Sequence, residues 1–357
     1  MLIPLSKKSP SVLRDIRKIG VYIGVPGLGD LLFITPLFRE LKKQFPGSEV
    51  VFIGKFLRGY VRPVFDNCEY MDRFLEFHFY EALNARSLAR FVKTIRSEKF
   101  DLIVDTQRKL APSLLLRLGG ARFMVSYSSK QIFSDFTVDD SDRASRHTAD
   151  LSLDLVRALG AMNPDPALEI PLPPSNKEYA AAFLASNGFS EGSRLAGLIP
   201  CAGHPSRRWT SEKFAALARR LRDELGCSVI CFGSRADKEV IDEIIAATGQ
   251  GAFCEDFERG SILDSAALMA RCSVIVGVDS GPLHVADAAA APCVGIYGPT
   301  LPERFGLIGS RSKTICLYSD CSPCSDPECV HRKCLNQIEV EEVFDAARAL
   351  IDNSASD

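Results

Sequence analysis

The chain has 357 residues, of which 46% are hydrophobic and 25% charged, and its 43 basic residues nearly balance its 45 acidic ones. This composition is typical of a globular protein, and the length suggests two domains. A formal net charge of -2 excludes the global positive field that nucleic-acid-binding proteins use, so we expect no nucleic-acid partner and look for local anion sites instead.

Residues 1–18 form a tail that mixes basic and apolar side chains. We interpret it as a solvated tail, and a weak contact with an anionic membrane surface is the alternative. No apolar run approaches the ~20 residues of a membrane-spanning helix, and the tail lacks the apolar core of a signal peptide. We therefore expect a cytoplasmic protein.

The first apolar strand is predicted at 19–25, and a turn at 26–30 follows it. The next segment has apolar residues at helical spacing, which predicts a helix that starts at or near Asp30 with this residue as its N-cap. Strands and helices then alternate as far as the strand predicted at 122–127 and the helix at 148–159. This alternation predicts right-handed βαβ units on a parallel sheet, so residues 19–170 form one doubly wound domain.

A connection between two domains is indicated by five prolines within residues 163–175, and we place the linker region at 171–194. Strands and helices alternate again from residue 195, so 195–357 is predicted to be a second doubly wound domain that ends in a helix. Within it, a buried strand at 274–278 precedes the turn from Asp279 to Pro282 and a helix of small residues at 283–290. Such a turn lies at the carboxyl end of the sheet, where backbone N–H groups and the helix dipole favour a phosphate-bearing ligand.

Twelve cysteines are present, and seven of them are scattered among apolar segments, where we expect reduced core thiols. A Cys-rich segment at 316–334 holds the others. Its last four cysteines have the spacing C-x2-C-x4-C-x4-C and are Cys321, Cys324, Cys329 and Cys334. Four thiolates could bind a structural zinc ion or an iron–sulfur cluster, whereas reduced or disulfide-paired cysteines would also fit this spacing.

Four motifs resemble glycosyltransferase family nine, the lipopolysaccharide heptosyltransferases. They are PGLGDLLFITPLFRELKKQFPGSEVVFIG at 26–54, RRW at 207–209, DSGPLHVADAAAAPCVGIYGPTLPERFG at 279–306 and the cysteine pattern at 321–334. The resemblance covers roughly residues 19–350 in the same order. It implies the GT-B type of α/β fold, in which two doubly wound Rossmann-like domains face each other across a cleft, although periplasmic binding proteins and some epimerases share that architecture.

The resemblance also implies the catalytic residues. The acid of the Gly29-Asp30 pair would act as general base on the acceptor hydroxyl, although an N-cap carboxylate would also explain Asp30. Arg207 stands where the family usually has a lysine that contacts the donor phosphates, so Arg207 would stabilise the leaving group. Arg208 is its neighbour, for which we predict a place on the donor side.

Substrate-binding residues follow from the same resemblance. Asp279, Ser280, Gly281 and His284 would form the donor-phosphate site, and Asp237 would contact the nucleoside ribose, unless it is only an exposed acid of a first helical turn. We expect the acceptor side to hold Gly29 together with basic residues near strand ends, namely Lys55, Arg58 and Arg122. Arg62 and Arg108 are further basic candidates there.

The resemblance implies an inverting, metal-independent glycosyltransferase that moves a heptose from ADP-heptose onto a lipopolysaccharide core or related glycan. The partners would be a nucleotide sugar and a lipid-linked or core-oligosaccharide acceptor, met at the cytosolic face of the inner membrane through peripheral contact. No cofactor would be required for catalysis, and zinc would be structural. The alternatives are a nucleotide-sugar-binding protein and an epimerase of the same architecture that uses no glycan acceptor.

Overall fold

The computed structural model describes residues 8–24, 27–55, 62–77, 84–127, 132–190, 192–248, 252–255, 261–324, 326 and 328–354, with the backbone alone at 248, 252–255 and 354. The chain forms two compact units, Met1–Pro166 and Ala167–Asp357. Each unit contains one parallel sheet of six strands flanked by helices. The predicted pair of doubly wound α/β domains is therefore confirmed.

The sheet of the first unit has the strand order β3-β2-β1-β4-β5-β6, and every pairing in it is parallel. Its elements in chain order are β1 Lys18–Gly24, α1 Leu28–Leu32, α2 Thr35–Gln44, β2 Glu49–Gly54, α3 Arg62–Asp66, β3 Arg73–Glu76, α4 Ala85–Glu98, β4 Leu102–Asp105, α5 Leu110–Leu118, β5 Phe123–Tyr127, β6 Phe136–Val138 and α6 Thr148–Arg157. The central strands β1 and β4 are almost wholly buried, as parallel strands covered by helices on both faces must be.

The sheet of the second unit has the strand order β12-β11-β10-β7-β8-β9. Its elements are α7 Pro174–Ser186, β7 Leu195–Ile199, α8 Ser211–Leu225, β8 Ser228–Gly233, α9 Lys238–Thr248, β9 Ala252–Glu255, α10 Ile262–Met269, β10 Val274–Val278, α11 Gly281–Ala288, β11 Cys293–Tyr297, α12 Pro302–Phe305, β12 Ser312–Cys316, α13 Lys333–Asn336 and α14 Val340–Ser354. Its strands β7, β10 and β11 are neighbours, so the loops that follow them meet at one edge of the sheet.

Helices on the outside of each unit bury an apolar face and expose a polar one, whereas α10 and α11 are buried on nearly all sides. Helix α8, for example, buries Phe214, Leu217 and Leu221, a spacing of three and four residues. Within the described ranges, no helix is long and apolar enough to span a lipid bilayer.

The helix predicted from Asp30 onward is two helices. Helix α1 begins after Gly27, so Asp30 is its third residue and the N-cap prediction is wrong. Helix α1 ends at Leu32 because Pro36 has no N–H to donate to the Leu32 carbonyl. This carbonyl accepts the Thr35 hydroxyl instead, at 2.8 Å. Helix α2 then starts with Pro36 in its first turn, where the missing N–H costs nothing.

The described part of the N-terminal tail, residues 8–17, lies against the amino-terminal edge of the first sheet. Lys8 Nζ is 2.6 Å from a carboxylate oxygen of Asp135, which precedes β6. Asp101, which precedes β4, accepts the backbone N–H of Arg17 at 2.9 Å. Eight of the ten residues 8–17 are exposed, as expected for a solvated tail, although carboxylates at the starts of two strands bind the segment.

The predicted linker region contains a helix. Helix α7 occupies much of 171–194 and belongs to the second unit, where Asn176 Nδ2 donates to Asp264 Oδ1 at 2.7 Å. The unit boundary itself falls after Pro166. The helix escaped prediction because only Ala180 and Leu184 in it are buried, which is too weak a pattern beside the prolines.

Gly277 lies in the middle of β10, where the sheet and helix α11 leave no room for a side chain. A Cβ atom at this position would come within 2.8 Å of Ile199 Cβ and 3.2 Å of Leu283 Cδ1. Because Cβ of Ile199 is fixed by its backbone, it cannot move aside as a side-chain tip could.

We expect Gly277→Ala to lower the free energy of unfolding of the second unit by about 1–3 kcal/mol, because one extra methyl group overpacks this core. Urea denaturation measures the change. Gly203→Ala is the matched control, since a Cβ atom there meets nothing within 4 Å. Equal stability of the two variants would contradict the packing argument.

Candidate functional site

The predicted strand, turn and helix around Asp279 are present in the second unit. Strand β10 ends at Val278, Ser280 is the N-cap of α11, and Pro282 stands in the first helical turn. Helix α11 starts at Gly281, two residues earlier than predicted. In its first turn, Pro282 has no N–H and the Leu283 N–H donates to the Ser280 carbonyl at 3.2 Å, which leaves the backbone N–H groups of Ser280 and Gly281 to bind an anion at this helix terminus.

Asp279 is a buried carboxylate that fastens this turn to neighbouring loops; its residue is 4% exposed. Its Oδ2 accepts the Thr300 hydroxyl at 2.6 Å and lies 3.3 Å from Arg207 Nη1. His284 Nε2 lies 3.8 Å from Oδ1. Burial by itself would raise the pKa of the Asp279 carboxyl, but His284, Thr300 and Arg207 together hold that pKa below its ordinary value. Asp279 therefore stays ionised and holds the loop together.

Ser280 offers a hydroxyl that the described part of the chain does not use. Its Oγ is buried and has no hydrogen-bond partner among the described residues. A buried hydroxyl without a partner costs free energy, so such a group indicates a place for an absent acceptor. Together with the α11 N-terminus and Arg207, the Ser280 hydroxyl can bind an anion with several oxygens, such as a phosphate.

The two arginines before Trp209 have different partners. Arg207 ends a short 3-10 turn after β7 and reaches Asp279, whereas Arg208 donates to the Ala202 carbonyl and lies 3.4 Å from Asp237 Oδ1. Trp209 fixes the segment, because its indole N–H donates to the Ile338 carbonyl at 3.1 Å in the core. Only Arg207 therefore lies beside the turn at Asp279.

Asp237 caps its own turn. Its Oδ2 accepts the backbone N–H of Ser234 at 3.1 Å and the Ser234 hydroxyl at 2.7 Å, and its Oδ1 faces Arg208. Asp237 thus lies in a first helical turn, as the alternative predicts, but its side chain is only 14% exposed, and its contacts orient the carboxylate beside the loop that follows β7. Contact with a ribose remains a prediction.

Cys201 lies in the same loop, directly after β7. Burial, together with the nearby Asp237 charge, raises the pKa of its thiol to about 12. The thiol is therefore protonated near neutral pH, and a nucleophilic cysteine is not the chemistry of this site.

In the first unit, Asp30 follows the carboxyl end of β1. It is exposed, and its Oδ2 accepts the backbone N–H of Gly27 at 3.1 Å. Gly29 precedes it in α1, and Lys55 follows β2, the neighbouring strand, with its own N–H bonded to the Gly24 carbonyl at 2.8 Å. The carboxyl edge of this sheet therefore brings a carboxylate and a lysine to adjacent strand ends.

Two further predicted acceptor-side residues have other outcomes. Arg58 lies outside the described residues. Arg122 precedes β5, so it lies at the amino-terminal edge of the sheet, where its Nη1 donates to the Arg14 carbonyl at 3.2 Å. Arg122 therefore lies a strand length away from the edge that holds Asp30 and Lys55, which argues against its acceptor-side prediction.

Arg108, one of the further basic candidates, follows β4 at the carboxyl edge of the first sheet. Its guanidinium carbon is 3.7 Å from the centroid of the Tyr127 ring, and its Nε pairs with Asp140, the second residue after β6. Arg108 therefore holds the loops after β4, β5 and β6 together. Thr300 was not predicted from the sequence to belong to the site, although it lies inside the motif 279–306 and its hydroxyl donates to Asp279.

The four C-terminal cysteines do not form a metal site in the described chain. All four are free thiols, and Cys321 Sγ lies 3.9 Å from His331 Nε2. Cys334 is buried, whereas Cys321 and Cys324 are exposed. Among the residues that the structure describes, no three His, Cys, Asp or Glu side chains are arranged to hold a metal ion. The described side chains as they stand therefore do not form a zinc site. A structural zinc ion stays a prediction that only the cysteine spacing supports.

We expect the stabilising effect of Asp279 to depend on pH. Its pKa in the folded protein is below the ordinary value of 3.8, so the ionised carboxylate stabilises the fold above that pH and loses this effect as the pH falls. The stability difference between wild type and Asp279→Asn should therefore be largest at neutral pH and shrink below about pH 4.

Denaturant unfolding at several pH values measures this difference, and Glu178→Gln removes an exposed acid of the same unit as a control. A difference that stays constant on acidification would show that the Asp279 charge does not hold the loop.

The sequence model of glycosyltransferase family 9 (heptosyltransferase) matches residues 88–335. Lipopolysaccharide heptosyltransferase 2 of Escherichia coli K12 is 27% identical over 309 residues, which cover 83% of this chain and 87% of that protein. Lipopolysaccharide heptosyltransferase 2 of Salmonella typhimurium is 28% identical over 313 residues, with the same coverage of each chain.

Two solved structures have the same fold. A family 9 glycosyltransferase from Veillonella parvula aligns with a TM-score of 0.80 and 23% identity, covering 95% of this chain and 98% of that one. The ADP-heptose lipopolysaccharide heptosyltransferase II of Escherichia coli aligns with a TM-score of 0.73 and 20% identity, covering 95% and 99%. With two doubly wound parallel sheets and a family match over more than half of its length, the chain belongs to glycosyltransferase family 9, the heptosyltransferase family, and is a glycosyltransferase of the GT-B type.

Proposed function

We propose that this glycosyltransferase transfers a heptose from ADP-heptose to a lipopolysaccharide core or a related lipid-linked glycan, with inversion at the anomeric carbon and without a metal ion. The names of the matched relatives support the sugar and the acceptor class, since they are lipopolysaccharide heptosyltransferases. A transferase family also favours this function over a non-catalytic binding protein or an epimerase.

The observation that carries the donor assignment is the turn after β10. The Ser280 hydroxyl is buried and lacks a partner among the described residues, and it stands at the N-terminus of α11 beside Arg207. A diphosphate has the charge and the acceptor oxygens that these groups require. Gly281, which has no side chain, leaves the backbone N–H groups open to a phosphate, and His284 lies one helical turn into α11.

Inverting transfer needs a base for the acceptor and a stabiliser for the leaving group. Asp30 would accept the proton of the acceptor hydroxyl while its oxygen forms a bond to the anomeric carbon. The bond from that carbon to the diphosphate breaks on the opposite face, and the diphosphate leaves with the electron pair. The positive charge of Arg207 and the α11 N-terminus would stabilise the charge that develops on the leaving oxygen, which supports metal-independent transfer.

Asp30 is suited to the base role by its environment. It is exposed at the carboxyl end of β1, and the Gly27 N–H fixes one of its oxygens. Gly29 keeps the approach to it open, and Lys55 on the adjacent strand end provides positive charge for an anionic acceptor. A lipid-linked acceptor would be met at the cytosolic face of the inner membrane, so we include peripheral membrane contact in the proposal.

We expect Asp30→Asn to reduce kcat for heptose transfer by about 10²–10⁴-fold, because the amide cannot accept the acceptor proton. The amide oxygen can still accept the Gly27 N–H, so α1 should be retained. Release of ADP with a core-oligosaccharide acceptor measures the rate. Glu69→Gln, which removes an exposed acid of the same unit, is the matched control, and full activity of Asp30→Asn would exclude Asp30 as the base.

We expect ADP to raise the melting temperature more than UDP, GDP or CMP, since only a matching nucleotide binds the folded state tightly. Arg207→Gln should reduce the ADP shift because one charge beside the phosphates is lost, whereas Arg271→Gln, which removes an exposed cation of the same unit, should not. Differential scanning fluorimetry measures both effects. A larger shift with another nucleotide would overturn the choice of ADP, and an unchanged ADP shift in Arg207→Gln would overturn the role of Arg207.

A further inference from the structure

Helix α5 of the first unit exposes a stripe of leucines. Leu110, Leu114 and Leu118 are 55%, 40% and 49% exposed, and their spacing of four residues places them on one face of the helix. Among the described residues, every other helix exposes at most one large apolar side chain. A contiguous exposed apolar stripe of this kind marks an interaction surface, whereas single exposed apolar residues need no explanation.

Helix α4 exposes a row of basic side chains. They are Arg86, Arg90, Lys93 and Arg96. No acidic residue occurs in the sequence from 84 to 97, and none occurs from 106 to 134, a range that includes the whole of α5. The acid of α4 is its last residue, Glu98, which pairs with Lys18 and Arg73 and not with this row of cations.

The leucine stripe and the basic row lie side by side. Both helices pack on the same face of the first sheet, where Ile95 of α4 and Leu116 of α5 join one buried cluster. Gly119, at the end of α5, lets Ile95 approach so closely that a Cβ atom there would collide with it. Arg96 Nη2 donates to the Leu118 carbonyl at 2.7 Å. Because both helices turn the same side to the sheet, their exposed sides form one surface, which we call the basic–apolar face.

We propose that the basic–apolar face, made of Arg86, Arg90, Lys93 and Arg96 with Leu110, Leu114 and Leu118, binds the surface of an anionic lipid bilayer. The leucines insert between the headgroups, and the arginines and the lysine bind the lipid phosphates. Charge decides the occupant, since an uncharged or basic partner would leave four cations unpaired and an anionic bilayer pairs them all. This inference rests on the proposed function, whose acceptor is lipid-linked.

The position of this face within the first unit suits that role. Helix α5 begins five residues after β4 ends, so Leu110 lies towards the carboxyl edge of the sheet. Asp30 and Lys55 follow β1 and β2 at the same edge. A bilayer that contacts the basic–apolar face is therefore next to the edge at which an acceptor would be bound, and the lipid part of the acceptor can stay in the membrane.

The test is co-sedimentation of the full chain with vesicles, without donor or acceptor. We expect binding to vesicles of phosphatidylcholine with phosphatidylglycerol and little binding to phosphatidylcholine alone. Binding should weaken with salt, because the attraction is electrostatic. The triple variants Arg86→Gln/Arg90→Gln/Lys93→Gln and Leu110→Gln/Leu114→Gln/Leu118→Gln should each weaken it by about tenfold or more.

Matched controls remove the same groups from the second unit. Lys177→Gln/Arg271→Gln/Lys313→Gln removes three exposed cations, and Tyr179→Gln/Val330→Gln removes two exposed apolar side chains. Both controls should bind vesicles as the wild type does. Equal binding by the α4 and α5 variants and the wild type, or an equal loss in the controls, would overturn the proposal.

Activity separates this proposal from the proposed function. With a water-soluble, deacylated acceptor, the α4 and α5 variants should keep the wild-type transfer rate, and circular dichroism should show that they are folded. Vesicle binding without any heptose transfer would refute the proposed function but would still support the proposal for the basic–apolar face. The lipid proposal would be wrong if the wild type did not bind vesicles and formed a dimer in analytical ultracentrifugation that the leucine variant did not form. That result would show that a second copy of the chain covers the face.

Discussion

A buried carboxylate is stable only when charged or hydrogen-bonding groups surround it, and Asp279 meets this condition by drawing on three different loops. It follows β10, and its neighbours Arg207 and Thr300 follow β7 and β11, the two strands that flank β10 in the sheet. The cost of burying this charge therefore ties three strand ends together. The turn from Asp279 to Pro282 owes its fixed shape to that requirement.

The same principle operates at the neighbouring strand end. Asp237 follows β8 and pairs with Arg208, which also donates to the Ala202 carbonyl. The consecutive arginines thus connect to opposite sides, Arg207 to the loop after β10 and Arg208 to the loop after β8. Trp209 directly follows the two arginines, and its indole N–H donates to the Ile338 carbonyl in the core. A single short segment after β7 in this way organises the carboxyl edge of the second sheet.

In the first unit, the carboxyl edge holds Asp30 and Lys55, while the amino-terminal edge binds residues 8–17 of the chain. In a parallel sheet, all carboxyl ends of the strands lie at one edge and all amino ends at the other, so the two edges differ chemically. This division places Arg122, which directly precedes β5, at the amino-terminal edge, opposite to the edge that holds Asp30 and Lys55.

Much of the fold could be predicted from the sequence, because buried parallel strands such as β4 and β10 are continuous apolar runs between glycine or acidic turns. The edge strands β3, β6 and β12 were missed, since β3 and β12 are partly exposed and contain polar residues, and β6 is buried but only three residues long. The two α/β units, the turn at Asp279 and the family-like motifs can be predicted from the sequence because they are local patterns. The contacts of Asp279 with Arg207 and Thr300, and that of Arg208 with Asp237, become visible in the three-dimensional structure. The same holds for the exposed leucines of α5 beside the cations of α4, because partners distant in sequence depend on which strands and helices are neighbours.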